Sequence, residues 1–565
     1  MRAVVAERHG TVWQGRHLRV PLLLALTAGP AAVEAAVLVS VGNRSALALA
    51  PQAGAPNPFG VFHDLRWVLV YHDSWLTFAA ALLGAVGLRT LLTVAIVVLA
   101  WPSGRERPSV SRLAGTALAL TAVTAVALGP WAAITVAAGV TALSWFTVGS
   151  VLAVLVLALV LQRGPMTGTW WRGLPPPTTV LWAVATFVAL TLGAVVVDQV
   201  TGWAVVPLAA AVGAVNAPLW RGLVRSAVLA RPRLPRLPTV PAVVLVLLAA
   251  LAASGVLARS GSQAAARPPP PLLLRDGAPA PRQALLYVGG YDSRYDGVTP
   301  YAADPAGRPA LPVLRFSYAG LDGQGRPLPY GPADTHQPLT RSAELLAAQV
   351  AEVRRRAGRP VALLGHSEGS LVVRTYLDSL AGPVDGRPPD VEAVALLSPL
   401  PQPARVYYPP PDARTGWGVA TGWVLRGIFA AVRRTGGNGL GTDDPFARSL
   451  LDGAPRYRER MLCPVPGVRM IAVLPLLDAI ADPPGPDPRI PVFVVPERHA
   501  MDYGRAATQR HLVAFLNGQP PGPYRGLAYP VLRAAGAAWQ APPLSVGLNR
   551  VWRAPQGGPR LPDCE

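Results

Sequence analysis

The sequence has no lysine, only two cysteines and few charges of either sign, since 15% of its 565 residues are Asp, Glu or Arg. A typical soluble domain carries roughly 25% charged residues, so this chain is not a single soluble globule, and it is not disordered or a coiled coil. It also has no Gly-rich phosphate loop and no Cys-x-x-Cys pair. Basic residues supplied by arginine alone, with abundant Ala, Gly and Pro, are typical of a high-GC bacterial genome.

The first half of the sequence contains long apolar runs. A run of about 20 residues is long enough to cross a hydrocarbon core roughly 30 Å thick. The sequence therefore predicts an α-helical membrane bundle over residues 1–258. Its seven expected spans are 20–41, 75–100, 113–135, 141–161, 178–198, 203–219 and 238–258.

Arginines between these runs predict an orientation. They cluster before the first span and after the second, fourth and sixth. Because basic loops stay in the cytoplasm, the amino terminus is expected inside and the chain beyond residue 258 outside; miscounting the closely spaced fifth and sixth spans would reverse this. The net charge of +20 then indicates membrane lipids as partners and no nucleic acid. The spans are also the expected surface for any homo-oligomer.

Some ionisable residues fall within or between the spans. Glu34 and Arg89 lie in the first and second spans, where charges usually find a partner, so we expect them to pair. A proton or transport pathway is the alternative. The pairs His63-Asp64 and His72-Asp73 lack regular ligand spacing and accompany aromatic residues, which predicts an interfacial segment and no metal site.

The pattern changes after a Pro-rich linker at 259–283. Short apolar runs alternate with amphipathic helices, which predicts an α/β domain with a mostly parallel sheet over 284–516, followed by a tail at 517–565. Helices are expected at 341–356, 369–380 and 503–516. The expected strands are 284–288, 313–317, 361–364, 391–397, 468–474 and 491–495.

A reactive serine is predicted where the third of these strands ends. Gly365-His366-Ser367-Glu368-Gly369 is a G-x-S-x-G sequence between a strand and a helix, where a tight turn lifts the serine clear of the sheet. With this motif, residues 284–516 resemble the α/β-hydrolase superfamily, in its serine esterase or lipase type. The membrane half has no part in the resemblance.

The resemblance implies a catalytic triad in the order serine, acid, histidine. His499 follows the last strand, where the family places its base, whereas His511 lies inside the last helix and is expected to be structural. The acid is expected in the loop after the penultimate strand, with Asp478 as the first choice and Asp482 as the reserve. The serine would attack, the histidine would carry its proton, and the acid would orient the histidine.

The resemblance also implies an oxyanion hole and a pocket. One donor would be the N–H of Glu368; the other would be the N–H of Tyr291, with Gly290 as the alternative. His366, Asp292, Trp417 and Trp423 are expected to bind substrate. His336 precedes the serine in the chain and is expected only to line the pocket.

An insertion at 401–466 stands where the family carries its lid. Its apolar stretch with Trp417 and Trp423 would cover an acyl-binding cleft or lean on the membrane; a packed cap helix is the alternative. Cys463 and Cys564 both lie in the part expected outside the cytoplasm, which favours a disulfide between them, with two unrelated thiols as the alternative.

The expected function is a membrane-bound serine hydrolase without a cofactor. It would cleave an ester or thioester, for example a lipid or cell-envelope conjugate, through an acyl-serine intermediate; an acceptor other than water would make it an acyltransferase. The alternative is a transporter or sensor whose hydrolase-like domain is an inactive binding module.

Overall fold

The structure is a computed structural model of the whole chain. Apart from a few positions inside the ranges, it describes residues 3–138, 161–245, 271–297, 310–380, 390–400, 406–434, 441–475, 489–519 and 535–544. The predicted spans 141–161 and 238–258 lie largely outside the described residues, as do Asp478, Asp482 and Cys564.

The described part of the amino-terminal half contains five helices long and apolar enough to cross a membrane. Helices suit this role because every backbone group is hydrogen-bonded within the segment. The five candidate spans are Leu18–Ser40, Trp75–Ala100, Val110–Val136, Pro177–Asp198 and Gly202–Leu229. The α-helices in the described part of this half are α1 (Ala3–Ser40), α2 (Phe59–Val70), α3 (Trp75–Ala100), α4 (Val110–Ala138), α5 (Pro177–Asp198), α6 (Val205–Ala214) and α7 (Asn216–Leu229).

The chain between α1 and α3 folds back among the other helices. It consists of a 3-10 helix, Arg44–Gln52, followed by α2, and most residues of both are buried. Side chains of the spans donate to the carbonyl groups of this segment: Asn216 Nδ2 to Pro51 O at 3.0 Å and Trp220 Nε1 to Gly54 O at 3.1 Å. Non-helical backbone inside a bundle requires such donors. The interfacial segment expected around His63 is therefore buried inside the bundle.

The direct Glu34–Arg89 pair expected from the sequence is replaced by a longer network. Arg89 donates to both carboxylate oxygens of Asp64, at 2.8 and 2.6 Å. His63 bridges the two acids, 2.9 Å from Asp64 Oδ1 and 3.0 Å from Glu34 Oε1. The reason is that α2 inserts between α1 and α3 and brings its own charges. Among the described residues, no group of three or more His, Cys, Asp or Glu could hold a metal ion.

Replacing Asp64 by alanine is expected to destabilise the protein by at least about 3 kcal/mol, because the buried Arg89 guanidinium loses the carboxylate that accepts hydrogen bonds from its Nε and Nη2. The midpoint of thermal unfolding in detergent micelles measures the loss. The matched control is Glu344→Gln, which removes an exposed ion pair with Arg341 and should leave the midpoint unchanged. An Asp64→Ala midpoint equal to wild type would contradict a structural role for the network.

The carboxy-terminal half is built on a parallel sheet of six strands. The strands are β2 (Ala284–Val288), β4 (Val313–Arg315), β5 (Val361–His366), β6 (Val391–Leu397), β7 (Arg469–Pro475) and β8 (Val492–Val495), with β1 (Leu272–Leu273) and β3 (Ala310–Leu311) in a separate two-stranded sheet. Every neighbouring pair in the order β4-β2-β5-β6-β7-β8 is parallel, and the central β5 is buried along its whole length. Helices α8 (Leu339–Ala357), α9 (Glu368–Leu380) and α13 (Ala506–Leu516) connect or follow the strands.

The chain between β6 and β7 forms a helical insertion that packs on the membrane half. Its described helices are α10 (Val419–Arg434), α11 (Pro445–Asp452) and α12 (Ala454–Arg460). One buried apolar cluster combines residues of α2, α4 and α5 with residues of this insertion. The two halves of the chain therefore share a core.

The segment 538–544 also packs against the membrane half. The ring of Trp539 stacks on that of Phe187, with 4.9 Å between centroids. The fully buried guanidinium of Arg66 donates to the carbonyl oxygens of Ala538 and Gln540, at 3.3 and 2.7 Å. These carbonyl groups and Gln52 Oε1 take up the hydrogen bonds of a buried cation. Cys463 is buried and disulfide-bonded, and Cys564, the only other cysteine of the sequence, lies outside the described residues.

Candidate active site

Ser367 is the single residue between the end of β5 and the start of α9, where the chain makes a sharp turn. Its φ of +53° lies in the left-handed region, which costs a residue with a side chain about 1–3 kcal/mol. Glycines on both sides let the backbones pass closely: a methyl group on Gly369 would overlap the carbonyl oxygen of Val288 in β2. The neighbouring elements hold the turn in place, since Ser367 N donates to Leu397 O at 2.9 Å and Ser370 Oγ to Gly365 O at 2.7 Å.

His499 lies next to this serine. Its Nε2 is 2.8 Å from Ser367 Oγ, although the two residues are 132 positions apart in the sequence. His499 follows β8, and because parallel strands end at the same edge of the sheet, the loops after β5 and β8 meet there. A serine hydroxyl bonded to an imidazole is a nucleophile with an adjacent base. The predicted acids Asp478 and Asp482 lie outside the described residues.

The loop after β2 lines the other side of the serine. A methyl group on Gly290 would lie 3.0 Å from Ser367 Cβ, so the backbone here approaches Ser367 closely. Tyr318, buried below the loop, donates from its hydroxyl to Gly289 O at 2.7 Å. The N–H of Glu368 belongs to the first turn of α9 and has no acceptor within that helix. The backbones of two elements, the loop after β2 and the first turn of α9, thus lie beside Ser367.

The side chain of Glu368 is a feature that the sequence did not reveal. The residue is 1% exposed, and neither carboxylate oxygen has a hydrogen-bond partner within the described part of the chain. Burial first and the nearby Asp292 second raise the pKa of this carboxyl well above its ordinary value. Burial therefore favours the neutral form of a carboxyl that lies beside Ser367, whereas the sequence suggests a role only for the backbone of Glu368.

Replacing Glu368 by glutamine is expected to raise the unfolding free energy at alkaline pH. A carboxyl whose pKa is raised in the folded state gives its full stability below the unfolded pKa of about 4.5, and that stability is lost as the pH rises through the folded pKa. Glutamine does not ionise, so the variant escapes this loss. Thermal unfolding midpoints at pH 5 and pH 8 measure the effect; an identical pH dependence in both proteins would contradict it.

His366 is buried behind Ser367, and its ring packs beside that of His499. Its ring centroid is 5.4 Å from that of His499. Burial first, and repulsion by His499 second, lower the pKa of His366 to about 3. The imidazole is therefore neutral and apolar in effect. His366 thus lies in the wall of the site, whereas the sequence predicts that it binds substrate.

A cluster of polar side chains surrounds the loop after β2. Tyr291 stacks on His336 with 4.4 Å between centroids, and its hydroxyl donates to Asp444 Oδ2 at 3.0 Å. His336 Nε2 lies 2.8 Å from Asp292 Oδ1. Asp444 comes from the insertion, 153 positions from Tyr291, and was not singled out from the sequence. The one local sequence signal for Asp444 is its position directly before Pro445, where α11 begins.

The two tryptophans expected to bind substrate make their described contacts elsewhere. Trp417 packs edge-on against Tyr71 of the membrane half, with 6.3 Å between ring centroids. Trp423 is 45% exposed, and the guanidinium of Arg426 lies 5.3 Å from its ring centroid. Trp417 therefore belongs to the contact between the insertion and the membrane half, and Trp423 lies on an exposed face of α10.

No protein-family model matches the chain, and no curated protein matches it.

Proposed function

We propose that the chain is a membrane-bound serine hydrolase of the α/β-hydrolase type, which cleaves an ester or thioester through an acyl-serine intermediate. The observation that carries this proposal is the 2.8 Å contact between His499 Nε2 and Ser367 Oγ at a strained strand-to-helix turn. The backbone donors beside the serine add a place for the negative charge that forms during acyl transfer.

The reaction would proceed in two halves. Ser367 Oγ forms a bond to the acyl carbon while its proton passes to His499, which gives that proton to the leaving alcohol or thiol as the old bond breaks. Water then attacks the acyl-serine with the same histidine as base, which releases the acid and restores the hydroxyl. The N–H groups of Glu368 and Tyr291 would stabilise the oxyanion, with Gly290 as the alternative to Tyr291. Asp478 would orient the imidazole, with Asp482 as the reserve.

The proposed location is the extracytoplasmic face of a cell membrane. Two sets of contacts support it. The insertion and the segment 538–544 contact the turn between α2 and α3 and helix α2, so this loop and the hydrolase domain share a side. The basic loops after the predicted fourth and sixth spans pack against each other instead, and Gly173 N donates to Leu237 O at 2.9 Å. With basic loops in the cytoplasm, the domain faces outward.

The insertion would act as a cap whose outer face meets the membrane surface. Support comes from the exposed Trp423 and from the basic end of α10, Arg433 and Arg434, a combination typical of helices at a lipid interface. This position favours an acyl substrate from the envelope, such as a lipid ester.

Labelling with a fluorophosphonate probe tests the proposal. The full-length protein in detergent micelles should become covalently labelled, and Ser367→Ala should not, while the two proteins share one thermal unfolding midpoint. Hydrolysis of a chromogenic ester should disappear in the same variant. A wild-type protein that is folded but neither labelled nor active would contradict the proposal and favour an inactive binding module.

A further inference from the structure

We propose that His72, in the turn between α2 and α3 of the membrane half, is a positioning residue for catalysis. It anchors the start of α10. Helix α10 in turn fixes the segment before α11, which contains Asp443 and Asp444, and this segment contacts the loop after β2, residues 289–292, called the oxyanion loop below. The inference rests on the proposed function, and it makes the membrane half a part of the catalytic apparatus.

The imidazole of His72 caps a helix of the other half of the chain. Its Nδ1 lies 2.8 Å from Val68 O and donates to it, which leaves Nε2 as an acceptor. The N–H of Ala420 donates to that Nε2 at 2.9 Å. Because α10 begins at Val419, this N–H is one of the amino-terminal donors that have no acceptor within their helix. Burial lowers the pKa of His72, in keeping with a neutral acceptor.

Further bonds fix the same junction. Gly418 N donates to the backbone oxygen of His72 at 2.8 Å, and the hydroxyl of Thr421 donates to Leu69 O. Both Thr421 and His72 are 1% exposed. The first turn of α10 is thus bonded to the end of α2 through buried groups, so water is a poor substitute for any of them.

Helix α10 then holds the segment before α11. Arg426 donates to both carboxylate oxygens of Asp443, from Nε at 2.7 Å and from Nη2 at 2.8 Å. Arg448 of α11 reaches the same carboxylate at 3.1 Å. A bidentate pair with planar geometry fixes direction as well as distance. The position of Asp443 therefore depends on the position of α10.

The next residue reaches the oxyanion loop. Asp444 Oδ2 accepts the hydroxyl of Tyr291 at 3.0 Å and the N–H of Gly441 at 2.8 Å. Tyr291 follows Gly290, whose backbone adjoins Ser367. A shift of the insertion would therefore move Tyr291 and change the aim of the N–H at the oxyanion. This chain of contacts runs without a break from His72 to the side of the nucleophile.

Loss of the His72 acceptor should lower kcat by about 10- to 100-fold with little change in KM, which is less than the loss of a whole oxyanion donor. The test uses the full-length protein in detergent micelles, with kcat expressed per fluorophosphonate-titrated active site so that unfolded protein does not count. His72→Phe removes the acceptor and keeps an aromatic ring against Phe78, whose centroid is 5.0 Å away. His72→Gln restores an acceptor oxygen and should recover most of the rate.

Two further variants make the comparison specific. Asp443→Ala interrupts the same path at its middle and should reproduce the kcat effect even if His72→Phe does not fold. Asp73→Asn changes the exposed neighbour of His72 and should leave kcat at the wild-type value. Wild-type kcat in both His72→Phe and Asp443→Ala, with active-site titration normal, would overturn the inference and leave the proposed function intact.

Amide hydrogen exchange gives a readout that does not depend on activity. In His72→Phe, exchange should accelerate in peptides covering 416–424 and also in those covering 287–293. Acceleration confined to 416–424 would overturn the inference, whether or not the protein proves to be a hydrolase. Failure of the proposed function appears differently, as absence of probe labelling in the wild type.

Discussion

A chain in which His499 is replaced by alanine is expected to lose about 10⁴-fold or more in kcat towards a chromogenic ester. The hydroxyl of Ser367 would keep its place in the turn but lose the base 2.8 Å away that accepts its proton. Fluorophosphonate labelling should slow in parallel, because it requires the same activated hydroxyl. Added imidazole should restore part of the labelling rate, since a small base can occupy the space left by the side chain.

His511 is the matched control for this substitution. It is the other histidine that follows Ser367 in the sequence, and it stacks on Phe493 with 4.2 Å between ring centroids. His511→Phe should preserve kcat, because the residue packs α13 against the sheet and takes no part in proton transfer. Equal losses in the His499→Ala and His511→Phe proteins would contradict the assignment of the base.

Replacing Gly369 by alanine is expected to have the second large effect. The added methyl group would overlap backbone oxygens of Val288 and Gly289, so α9 must move away from β2. Overpacking against backbone costs about 1–3 kcal/mol or more. Because the same movement carries Ser367 and the N–H of Glu368 away from the oxyanion loop, we expect kcat to fall by at least about 100-fold in whatever protein folds.

Gly427 offers the same substitution without the overlap. It lies within α10, and a methyl group there would meet no atom within 4 Å. Gly427→Ala should raise the unfolding free energy by up to about 1 kcal/mol, since alanine is the better helix former, and leave kcat unchanged. Thermal unfolding and active-site-titrated kinetics measure both variants. A Gly369→Ala protein as active as Gly427→Ala would exclude the tight α9–β2 contact.

The sheet could be predicted from the sequence because buried parallel strands read as short apolar runs. β5 and β6 are buried almost throughout, and the apolar runs VALL and VEAVALL predict them. The Ser367–His499 contact was predictable for a related reason, since both residues follow strands that end at one edge of the sheet. Local pattern and a topological rule together were sufficient there.

The contacts between the halves could not be predicted in this way. The segment carrying His63 is polar and aromatic, which indicates an interface, but its burial comes from helices distant in the sequence. The partner of His72, Ala420, is 348 positions away, and no periodicity encodes such a pairing. Glu368 cannot be recognised from the sequence because the burial of its carboxyl and the approach of Asp292 depend on the fold and not on its own motif.

The contacts of the segment 538–544 with the membrane half link the two ends of the chain during synthesis. Arg66 and Ala538 are 472 residues apart, so the helices that contact the segment 538–544 are synthesised long before the segment itself. Until then the Arg66 guanidinium lacks its carbonyl acceptors, and the rings of Phe187 and Phe59 lack the indole of Trp539. The core of the membrane half is therefore incomplete until the carboxy-terminal segment has been synthesised, and we expect a chain that ends before residue 538 to unfold more readily than the full-length protein.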